Sequence, residues 1–546
     1  MKRNKRENES TALPARVVFS IMILLLICGA GLRFWNLGTP SLWVDEANTV
    51  YSARGILEQG KPIMPSGMDY RRGELYTGMV SLVYRFFGDS EAATRLISGV
   101  FGVLTILMVF FLAQRIFHTK AGLMAAFLQT FSHFAVGWSR TARPYALLQF
   151  LTVLIVYAFI RGFEAEMPEE RLSSFWKKRF SERTGISPFW LLLCVLLIPV
   201  TFYFVHRLFI FVPAGLLVYI LFRAAAGPVS GAGRVNKYLI AGLLSVGGGV
   251  ALWWLFPSFK ESTLYLMTYI PPWAVEANGA VNRFSLFNFL ILAVRFPLAF
   301  LFVIGSIQMI TRKGREGWIL LCAFTVPMLM LSFIFQYRVP MYMFNVYPFF
   351  LILAAYGFVN LLEGELGAIE KARITGSRTA KTAAVILLAG VFLISPWLRI
   401  SLNIPFQEDG RTNLAVTHNE WREAAEIVKK DLRSEDLIIA SLPLVMRYYG
   451  VVADYNLNWA NLARAKLNES VDSSGTTLEV YAGTPCIESL ESLKTLTGQG
   501  RGWIILSEYH LTEPNHIPGQ VREFLETMDR KETKNGSVHI YQWGRE

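Results

Sequence analysis

The chain has few charged residues for its length. Asp, Glu, Lys and Arg make up only 17% of its 546 residues, whereas a soluble globular domain carries about 25%. Apolar residues make up 53%, a balance that is typical of a chain surrounded by lipid. The net charge of +12 does not indicate a nucleic-acid partner, and we expect none, because the basic residues form short clusters between apolar runs and not one polar face.

Cysteine is also scarce, and common metal and nucleotide motifs are missing. The four cysteines, Cys28, Cys194, Cys322 and Cys486, show neither a disulfide framework nor metal-ligand spacing. Without a phosphate-binding loop or a Rossmann glycine pattern, a nucleotide-driven pump and a soluble nucleotide-sugar enzyme have no support. HExxH is absent too, so the residues identify no cofactor and leave a divalent metal open.

Long apolar runs fill the first 400 residues instead. A helix needs about 20 mostly apolar residues to cross the roughly 30 Å hydrocarbon core of a membrane, and it satisfies its own backbone polar groups there. No small-residue cleavage site follows the first run, so we interpret it as a helix and not as a signal peptide. The sequence therefore predicts an all-α polytopic membrane bundle of about eleven transmembrane helices. They lie near residues 17–33, 92–116, 121–137, 145–161, 188–205, 208–223, 238–256, 286–310, 317–335, 342–361 and 382–400.

The charges between these runs predict the topology. With the N-terminus in the cytoplasm, the basic clusters at 177–179, 312–315 and 371–381 all fall on the cytoplasmic side, as cytoplasmic loops are rich in Lys and Arg. An odd number of spans then places residues 401–546 outside. We therefore expect a multi-pass protein of the cell membrane, either plasma or inner membrane.

Three stretches of the chain are predicted to lie outside the bilayer. Residues 34–91 contain two amphipathic segments that suit helices in the interface plane, and residues 257–285 suit a loop with a short interfacial helix. The tail is polar, and its pieces DLIIAS, GWIILSE and SVHIYQW have the pattern of short strands. The sequence thus predicts two domains, a transmembrane module over 1–400 and an extracytoplasmic α/β domain over 401–546.

Two adjacent acids, Asp45 and Glu46, follow the first span in SLWVDEANTVYSARGIL. A carboxylate at the boundary of water and lipid is a stronger base than one in water. It can deprotonate an acceptor hydroxyl or amine as that group attacks a sugar carbon. The alternative is a helix N-terminus, where acids favour the dipole and Asp45 caps the helix.

Several arginines break the rule that cytoplasmic loops hold the basic residues. Arg140, Arg143, Arg207 and Arg338 are all predicted near the outer face, where guanidinium groups can bind the phosphate of a lipid. They can equally be snorkelling anchors or partners of nearby acids. His206, beside Arg207, can serve as a metal ligand or a substrate contact, or be a satisfied polar residue of the bundle.

The ordered motifs resemble one family. Arg33-Phe34-Trp35-Asn36-Leu37-Gly38 followed by Asp45-Glu46-Ala47 is similar to the start of GT-C glycosyltransferases of the protein-mannosyltransferase and aminoarabinose-transferase type. LYTGMVSLVYRFFGDSEAATRLISGVFGVLTI, SRTARPYAL and YRVPMYMFNVYPFFLILAAYG resemble later segments of that family, so the resemblance covers about residues 17–400 in order.

The resemblance implies a donor and a set of roles. Such enzymes use a polyprenyl-phosphate-linked sugar, bound in a cavity that opens to the outer leaflet. Asp45 would be the catalytic base or acceptor-orienting acid, and Glu46 would support it. The donor phosphate would be bound by Arg338 with Arg140 or Arg143, and by Tyr145 of the arginine–tyrosine segment. His206 matches a histidine of some bacterial members, and the tail resembles an extracytoplasmic domain that assists acceptor binding.

Two departures from the family pattern concern the acceptor. Where relatives have His-Pro-Pro or Pro-Pro-Leu-Tyr, this chain has Arg71-Arg72-Gly73-Glu74-Leu75-Tyr76, which could bring Glu74 into the site. Trp253-Trp254 is not followed by Asp, which argues against an oligosaccharyltransferase.

The resulting prediction is a glycosyltransferase that moves a hexosyl or pentosyl unit by an inverting single displacement. Lipid A, a protein and a cell-surface glycan remain open as acceptors. The alternatives are a polyprenyl-lipid flippase or transporter, which would favour paired repeats and midplane charges, and a non-catalytic subunit of polysaccharide assembly.

Overall fold

The computed structural model describes residues 13–164, 186–225, 237–268, 285–288, 296–311, 317–371, 402, 404 and 418–544. The helices up to residue 371 are α1 (Ala15–Phe34), α2 (Val44–Gln59), α3 (Glu74–Phe87), α4 (Glu91–Ile116), α5 (Thr119–Phe131), α6 (His133–Ser139), α7 (Tyr145–Phe163), α8 (Pro188–Val200), α9 (Phe211–Ala225), α10 (Lys237–Leu255), α11 (Pro257–Thr268), α12 (Ser285–Asn288), α13 (Phe296–Thr311), α14 (Trp318–Phe333) and α15 (Tyr347–Lys371).

Six described helices are long and apolar enough to cross a membrane. They are Ala15–Phe34, Glu91–Ile116, Tyr145–Phe163, Pro188–Val205, Arg207–Ala225 and Lys237–Leu255. Each coincides with a predicted span, which confirms the mostly helical membrane fold. The runs predicted at 317–335 and 342–361 correspond to shorter apolar helices. Of the run predicted at 286–310, Pro297–Thr311 belongs to a shorter apolar helix, and residues 289–295 lie outside the described residues. The run at 382–400 lies outside the described residues, so the count of eleven stays a prediction.

The run predicted at 121–137 is not one helix. Ser132 has an extended backbone (φ −70°, ψ 116°) that ends α5, and its hydroxyl accepts the Ala135 backbone N–H to start α6. The apolar pattern continues across the break, and only the capping hydroxyl marks it.

The two outer helices of segment 34–91 differ from each other. Helix α3 is amphipathic, with Tyr76, Val80 and Tyr84 buried and Phe86 and Phe87 each 73% exposed; it has the surface of an interfacial helix. The sequence predicts an interfacial position for helix α2 as well, but α2 is buried on most sides. The tail covers it, so α2 has no wide lipid-facing stripe. Of the outer segment predicted at 257–285, α11 is described and residues 269–284 are not.

The tail forms a five-stranded sheet. Its elements are α16 (Trp421–Asp431), β1 (Leu437–Ala440), α17 (Pro443–Tyr448), β2 (Tyr455–Asn456), α18 (Trp459–Leu467), α19 (Leu490–Thr497), β3 (Gly502–Ser507), α20 (Glu508–Thr512), α21 (Gly519–Leu525), β4 (Asp529–Glu532) and β5 (Val538–Trp543). The strand order is β2-β1-β3-β5-β4. β1 pairs in parallel with β2 and β3, and β5 pairs antiparallel with β3 and β4.

The tail shares an apolar core with the segment after α1. Trp421, Val428 and Val445 of the tail pack in one buried cluster with Ala47 and Tyr51 of α2. The sheet region and the membrane-embedded helices therefore meet at α2, the helix that begins with Asp45.

Candidate active site

Asp45 lies in the first turn of α2, with its side chain 33% exposed. Its Oδ2 is 3.6 Å from Nη2 of Arg143, whose side chain is only 8% exposed. Oδ1 is 3.5 Å from the Asn48 side-chain nitrogen. Asp45 does not cap the helix, because the N-cap residue is Trp43 and it is Glu46 that accepts the Trp43 backbone N–H, at 3.0 Å. The Asp45 carboxylate thus keeps one open side and has a guanidinium on another.

Glu46 is fully buried and bound on all sides. Arg95, in the second turn of α4, donates Nε to Oε1 at 2.8 Å and Nη2 to Oε2 at 2.7 Å. The backbone N–H of Ala142 donates to Oε1 at 2.7 Å. Burial alone would raise the pKa of the Glu46 carboxyl, but the charge and hydrogen bonds of Arg95 outweigh burial and lower the pKa to about 2. Glu46 therefore stays ionised and fixes the first turn of α2 against α4 and the segment that carries Arg143.

Arg143 connects Asp45 to an aromatic wall. Its Nη1 donates to the Asp45 carbonyl and to the Tyr70 hydroxyl, each at 3.2 Å. Tyr145, two residues later in the chain, is buried, and its ring centroid is 5.3 Å from that of His206. The structure thus brings together four residues that the sequence predicted for the site: Asp45, Arg143, Tyr145 and His206.

His206 is the neutral member of this group. Its Nδ1 accepts the Leu208 backbone N–H at 3.2 Å, so the proton of the neutral ring lies on Nε2. Burial, and then the charges of Arg143, Arg72 and Arg207, lower the pKa of His206 to about 3. The charges of three guanidinium groups therefore act on one imidazole, so the group of side chains around His206 is positively charged.

Arg72 is a member of the site that sequence reasoning missed. Its side chain is exposed. Desolvation by the surrounding protein atoms would lower the pKa of the Arg72 guanidinium, but Tyr481, Tyr70 and Tyr265 raise that pKa above its ordinary value. The doubled arginine in YRRGELY is the only sequence signal, and nothing in that pattern separates Arg72 from Arg71, which pairs with Asp69 at 2.7 Å instead.

Arg140, predicted on the donor phosphate, is bound to the end of α1. Its guanidinium donates to the carbonyls of Leu32, Arg33, Trp35 and Asn36 at 2.7–3.3 Å. A cation at this position satisfies carbonyls that a helix C-terminus leaves without intrahelical partners. Burial, with the charge of Arg95, lowers the pKa of Arg140 to about 10.

Arg338 has a similar position at the end of α14. Its Nε donates to the Ser332 carbonyl at 2.8 Å and Nη1 to the Gln336 carbonyl at 3.2 Å. The side chain is 5% exposed. The structure thus places Arg338 at a helix end, and its predicted contact with the donor stays a prediction.

The remaining candidates lie at the edge of the group. Arg207 is exposed beside His206. Glu74 is partly exposed in the first turn of α3, where an acid favours the helix dipole. Among the described residues, no three His, Cys, Asp or Glu side chains come together in a way that could hold a metal ion.

A cleft of about 360 Å³ lies elsewhere, between α2 and the tail. Arg54, on its wall, follows Asp45 by nine residues, or two and a half turns at about 3.6 residues per turn, so it points to the opposite side of α2. The charged residues that line this cleft are largely paired, Arg54 with Asp89 and Arg422 with Glu91. We therefore interpret this cleft as part of the contact between the tail and the membrane module.

Comparison with known proteins supports the fold. Residues 75–246 match the family model described as dolichyl-phosphate-mannose-protein mannosyltransferase. This segment includes Arg143, Tyr145 and His206, and Asp45 precedes it. An uncharacterized protein of Aquifex aeolicus (strain VF5) is 25% identical over 347 residues, which is 61% of this chain; the match spans 63% of that relative's length.

Solved structures match nearly the whole chain. ArnT from Cupriavidus metallidurans, bound to undecaprenyl phosphate, has a TM-score of 0.56 at 14% identity and covers 95% of this chain and 97% of its own. The archaeal oligosaccharyltransferase AglB from Archaeoglobus fulgidus, in complex with an inhibitory peptide and a dolichol-phosphate, has a TM-score of 0.56 at 13% identity, over 95% of this chain and 74% of its own. The chain is therefore a multi-pass membrane protein with the fold of the GT-C glycosyltransferases, the group that its ordered motifs resemble.

Proposed function

We propose that this chain transfers a sugar from a polyprenyl-phosphate donor to an acceptor outside the cell membrane. The observation that carries the proposal is the open side of the Asp45 carboxylate beside the buried Arg143, 3.6 Å away. A general base needs a partly accessible carboxylate, and a phosphate leaving group needs fixed cations. ArnT with undecaprenyl phosphate and AglB with dolichol-phosphate support this class of donor.

The donor phosphate is bound by the cations that surround His206. Arg72 and Arg207 are exposed, and their charges act together with that of Arg143 on His206. The Nε2–H of His206 adds a neutral donor. Arg140 and Arg338 contribute by holding the ends of α1 and α14, because their guanidinium groups already bind backbone carbonyls.

The reaction is an inverting single displacement. The acceptor hydroxyl or amine attacks the anomeric carbon from the side opposite the phosphate, and the bond between that carbon and the phosphate oxygen breaks. Asp45 takes the proton from the acceptor, and polyprenyl phosphate leaves with its charge balanced by the arginines. Asp45 is the catalytic residue. Glu46 supports this role of Asp45 by fixing the first turn of α2 against Arg95.

The acceptor is a lipid A-type lipid, a protein or a cell-surface glycan, reached from the outer face. In this arrangement the N-terminus is cytoplasmic, and both Asp45 and the tail are extracytoplasmic. Glu74, at the start of α3, is placed to contact an acceptor and not the donor phosphate.

One assay separates this function from its rivals. Purified protein in proteoliposomes is incubated with a radiolabelled polyprenyl-phosphate sugar and membrane acceptors. Label that moves from the lipid carrier to an acceptor supports the transferase. Label that crosses the bilayer without leaving its carrier would point to a flippase, and neither event would point to a non-catalytic assembly subunit.

A further inference from the structure

The tail reaches the first turn of α2 through a buried histidine. His418 is 4% exposed, and its Nδ1 is 2.8 Å from the carbonyl oxygen of Ser41. A carbonyl only accepts hydrogen bonds, so Nδ1 carries the proton. The same nitrogen is 3.8 Å from Oε2 of Glu46. One imidazole thus touches both the loop before α2 and the acid next to Asp45.

This imidazole acts as a neutral hydrogen-bond donor. Burial lowers the pKa of His418 to about 4, although the charge of Glu46 opposes that shift. Glu46 already balances its charge with Arg95 at 2.7 Å. His418 therefore adds no charge beside Glu46, and its contribution is to orient the loop before α2.

The loop that leads into α2 is held by other tail groups as well. Arg422 donates to the carbonyls of Gly38 at 2.9 Å and Thr39 at 3.0 Å. The Leu42 backbone N–H donates to the Tyr449 hydroxyl at 2.7 Å. Residues 35–43 contain no helix or strand, so these bonds supply order that the loop does not provide by itself.

A second set of tail contacts reaches the site from the Arg143 side. The Ser66 backbone N–H donates to the Tyr481 carbonyl at 3.1 Å, and the Tyr481 ring meets Tyr70 edge-on with centroids 5.8 Å apart. The Tyr70 hydroxyl in turn accepts a hydrogen bond from Arg143. The tail thus reaches Arg143 through Tyr70, and it reaches Glu46, the neighbour of Asp45, through His418.

We propose that His418 is a positioning residue for Asp45, through which the tail holds the catalytic helix in its working geometry. This inference rests on the transferase function proposed above. The tail is then part of the active site without contributing an atom to the reaction. A shift of about 1 Å in such a group can cost a hundredfold in rate, so one lost hydrogen bond at this position is expected to have a kinetic effect.

The test compares His418→Ala with His418→Asn in the full-length protein in nanodiscs. The side-chain amide of Asn places an N–H near the position of Nδ1 and can keep the bond to Ser41. We expect His418→Ala to lower kcat about tenfold with the donor KM changed by less than about twofold, and His418→Asn to recover most of the loss. His516→Ala is the matched control, because His516 is another buried histidine of the tail, bonded to Asn458 and not to the loop.

Hydrogen–deuterium exchange over residues 36–50 gives a readout that does not depend on turnover. Faster exchange at Leu42 and Trp43 in His418→Ala, with wild-type exchange in His418→Asn and His516→Ala, supports the proposal. Unchanged exchange in His418→Ala, or equal loss of kcat in the Ala and Asn variants, overturns it. If the wild type shows no transfer but His418→Ala still loosens the loop, the proposed function fails and the positioning contact stands.

Discussion

At the residue scale, the two neighbouring acids have separate roles although they look alike in sequence. Asp45 keeps a third of its side chain exposed beside Arg143, whereas Glu46 is completely buried against Arg95. An acid pair at the end of a span predicts a charged site, and that much can be inferred from the residues. Which acid stays accessible beside Arg143 depends on how α2 is rotated, and the rotation is set by Arg95, His418 and the tail, all distant in sequence.

The first prediction concerns the buried pair. Glu46→Gln leaves Arg95 buried without its counter-charge, and breaking a buried ion pair in this way costs about 3–5 kcal/mol. We expect a matching loss in the free energy of unfolding, measured in detergent at neutral pH. Glu58→Gln, an exposed change on the same helix, is the control and should leave that free energy nearly unchanged.

The pH dependence of this loss follows from the lowered pKa of Glu46. Because the pKa falls from its ordinary value of 4.5 to about 2 on folding, the ionised pair stabilises the protein above about pH 4.5. That contribution is lost as the pH falls through 2, so the difference between wild type and Glu46→Gln should shrink over this interval. A difference that stays constant would mean that the Glu46 charge is not what stabilises the fold.

Arg72 gives the second prediction. A charge-assisted hydrogen bond to phosphate contributes about 1.5–3 kcal/mol, so Arg72→Ala should weaken binding of the polyprenyl-phosphate donor by at least about tenfold. Binding is measured by titration of a fluorescent donor analogue. Arg85→Ala, at the exposed end of α3, is the control and should keep wild-type affinity.

Arg338→Ala distinguishes two roles for that residue. Because Arg338 binds the carbonyls at the end of α14, we expect lower thermal stability and little change in donor affinity. If the folded variant binds donor as weakly as Arg72→Ala, Arg338 contacts the phosphate, as the motif resemblance implies.

At the scale of elements, the sequence predicts helices and strands best where the hydrophobicity of a segment alone decides its structure. Six spans and the strands β1 and β3 follow from continuous apolar runs, because burial in lipid or in the middle of a sheet leaves no polar face. Strand β5 follows from its β-branched and aromatic residues. β2 has only two residues, and β4 consists entirely of exposed charged residues. Both segments are strands because a neighbouring strand pairs with them, and no local sequence pattern predicts this pairing. The break at Ser132 and the burial of α2 likewise depend on contacts that the periodicity does not contain.

Helix α3 provides a prediction at this scale. Its exposed Phe86 suits the boundary between lipid tails and headgroups, so a spin label at Phe86→Cys should be more accessible to oxygen than to a water-soluble nickel reagent. Val452→Cys, on the exposed tail surface, is the control and should show the reverse. Equal preference for the nickel reagent at both positions would place α3 in water.

At the scale of the whole molecule, the tail and the first outer segment pack around one shared core. Trp421 and Val445 share a core with Ala47 and Tyr51, so Asp45 and the tail must lie on the same side of the membrane. The positive-inside pattern predicts that this side is extracytoplasmic. The shared core itself could not be predicted, because it joins residues nearly 400 positions apart. The local sequence around these residues does not indicate that they are in contact.

This topology can be measured directly. In intact cells, a membrane-impermeant maleimide should label Val452→Cys, which is 61% exposed, without permeabilisation. Lys120→Cys, in a segment predicted to be cytoplasmic, should require permeabilisation. The opposite pattern would place the tail and Asp45 inside the cell.

The central claim is that Asp45 is the base of an outer-face sugar transfer, and one substitution tests it most directly. Asp45→Asn keeps the size and polarity of the side chain but removes its basicity. In proteoliposomes with labelled donor on the outer side, we expect Asp45→Asn to bind donor as the wild type does and to lose transfer by at least a hundredfold, in line with a general base worth about 10²–10⁴ in rate. Wild-type transfer by the folded, donor-binding variant would contradict the account.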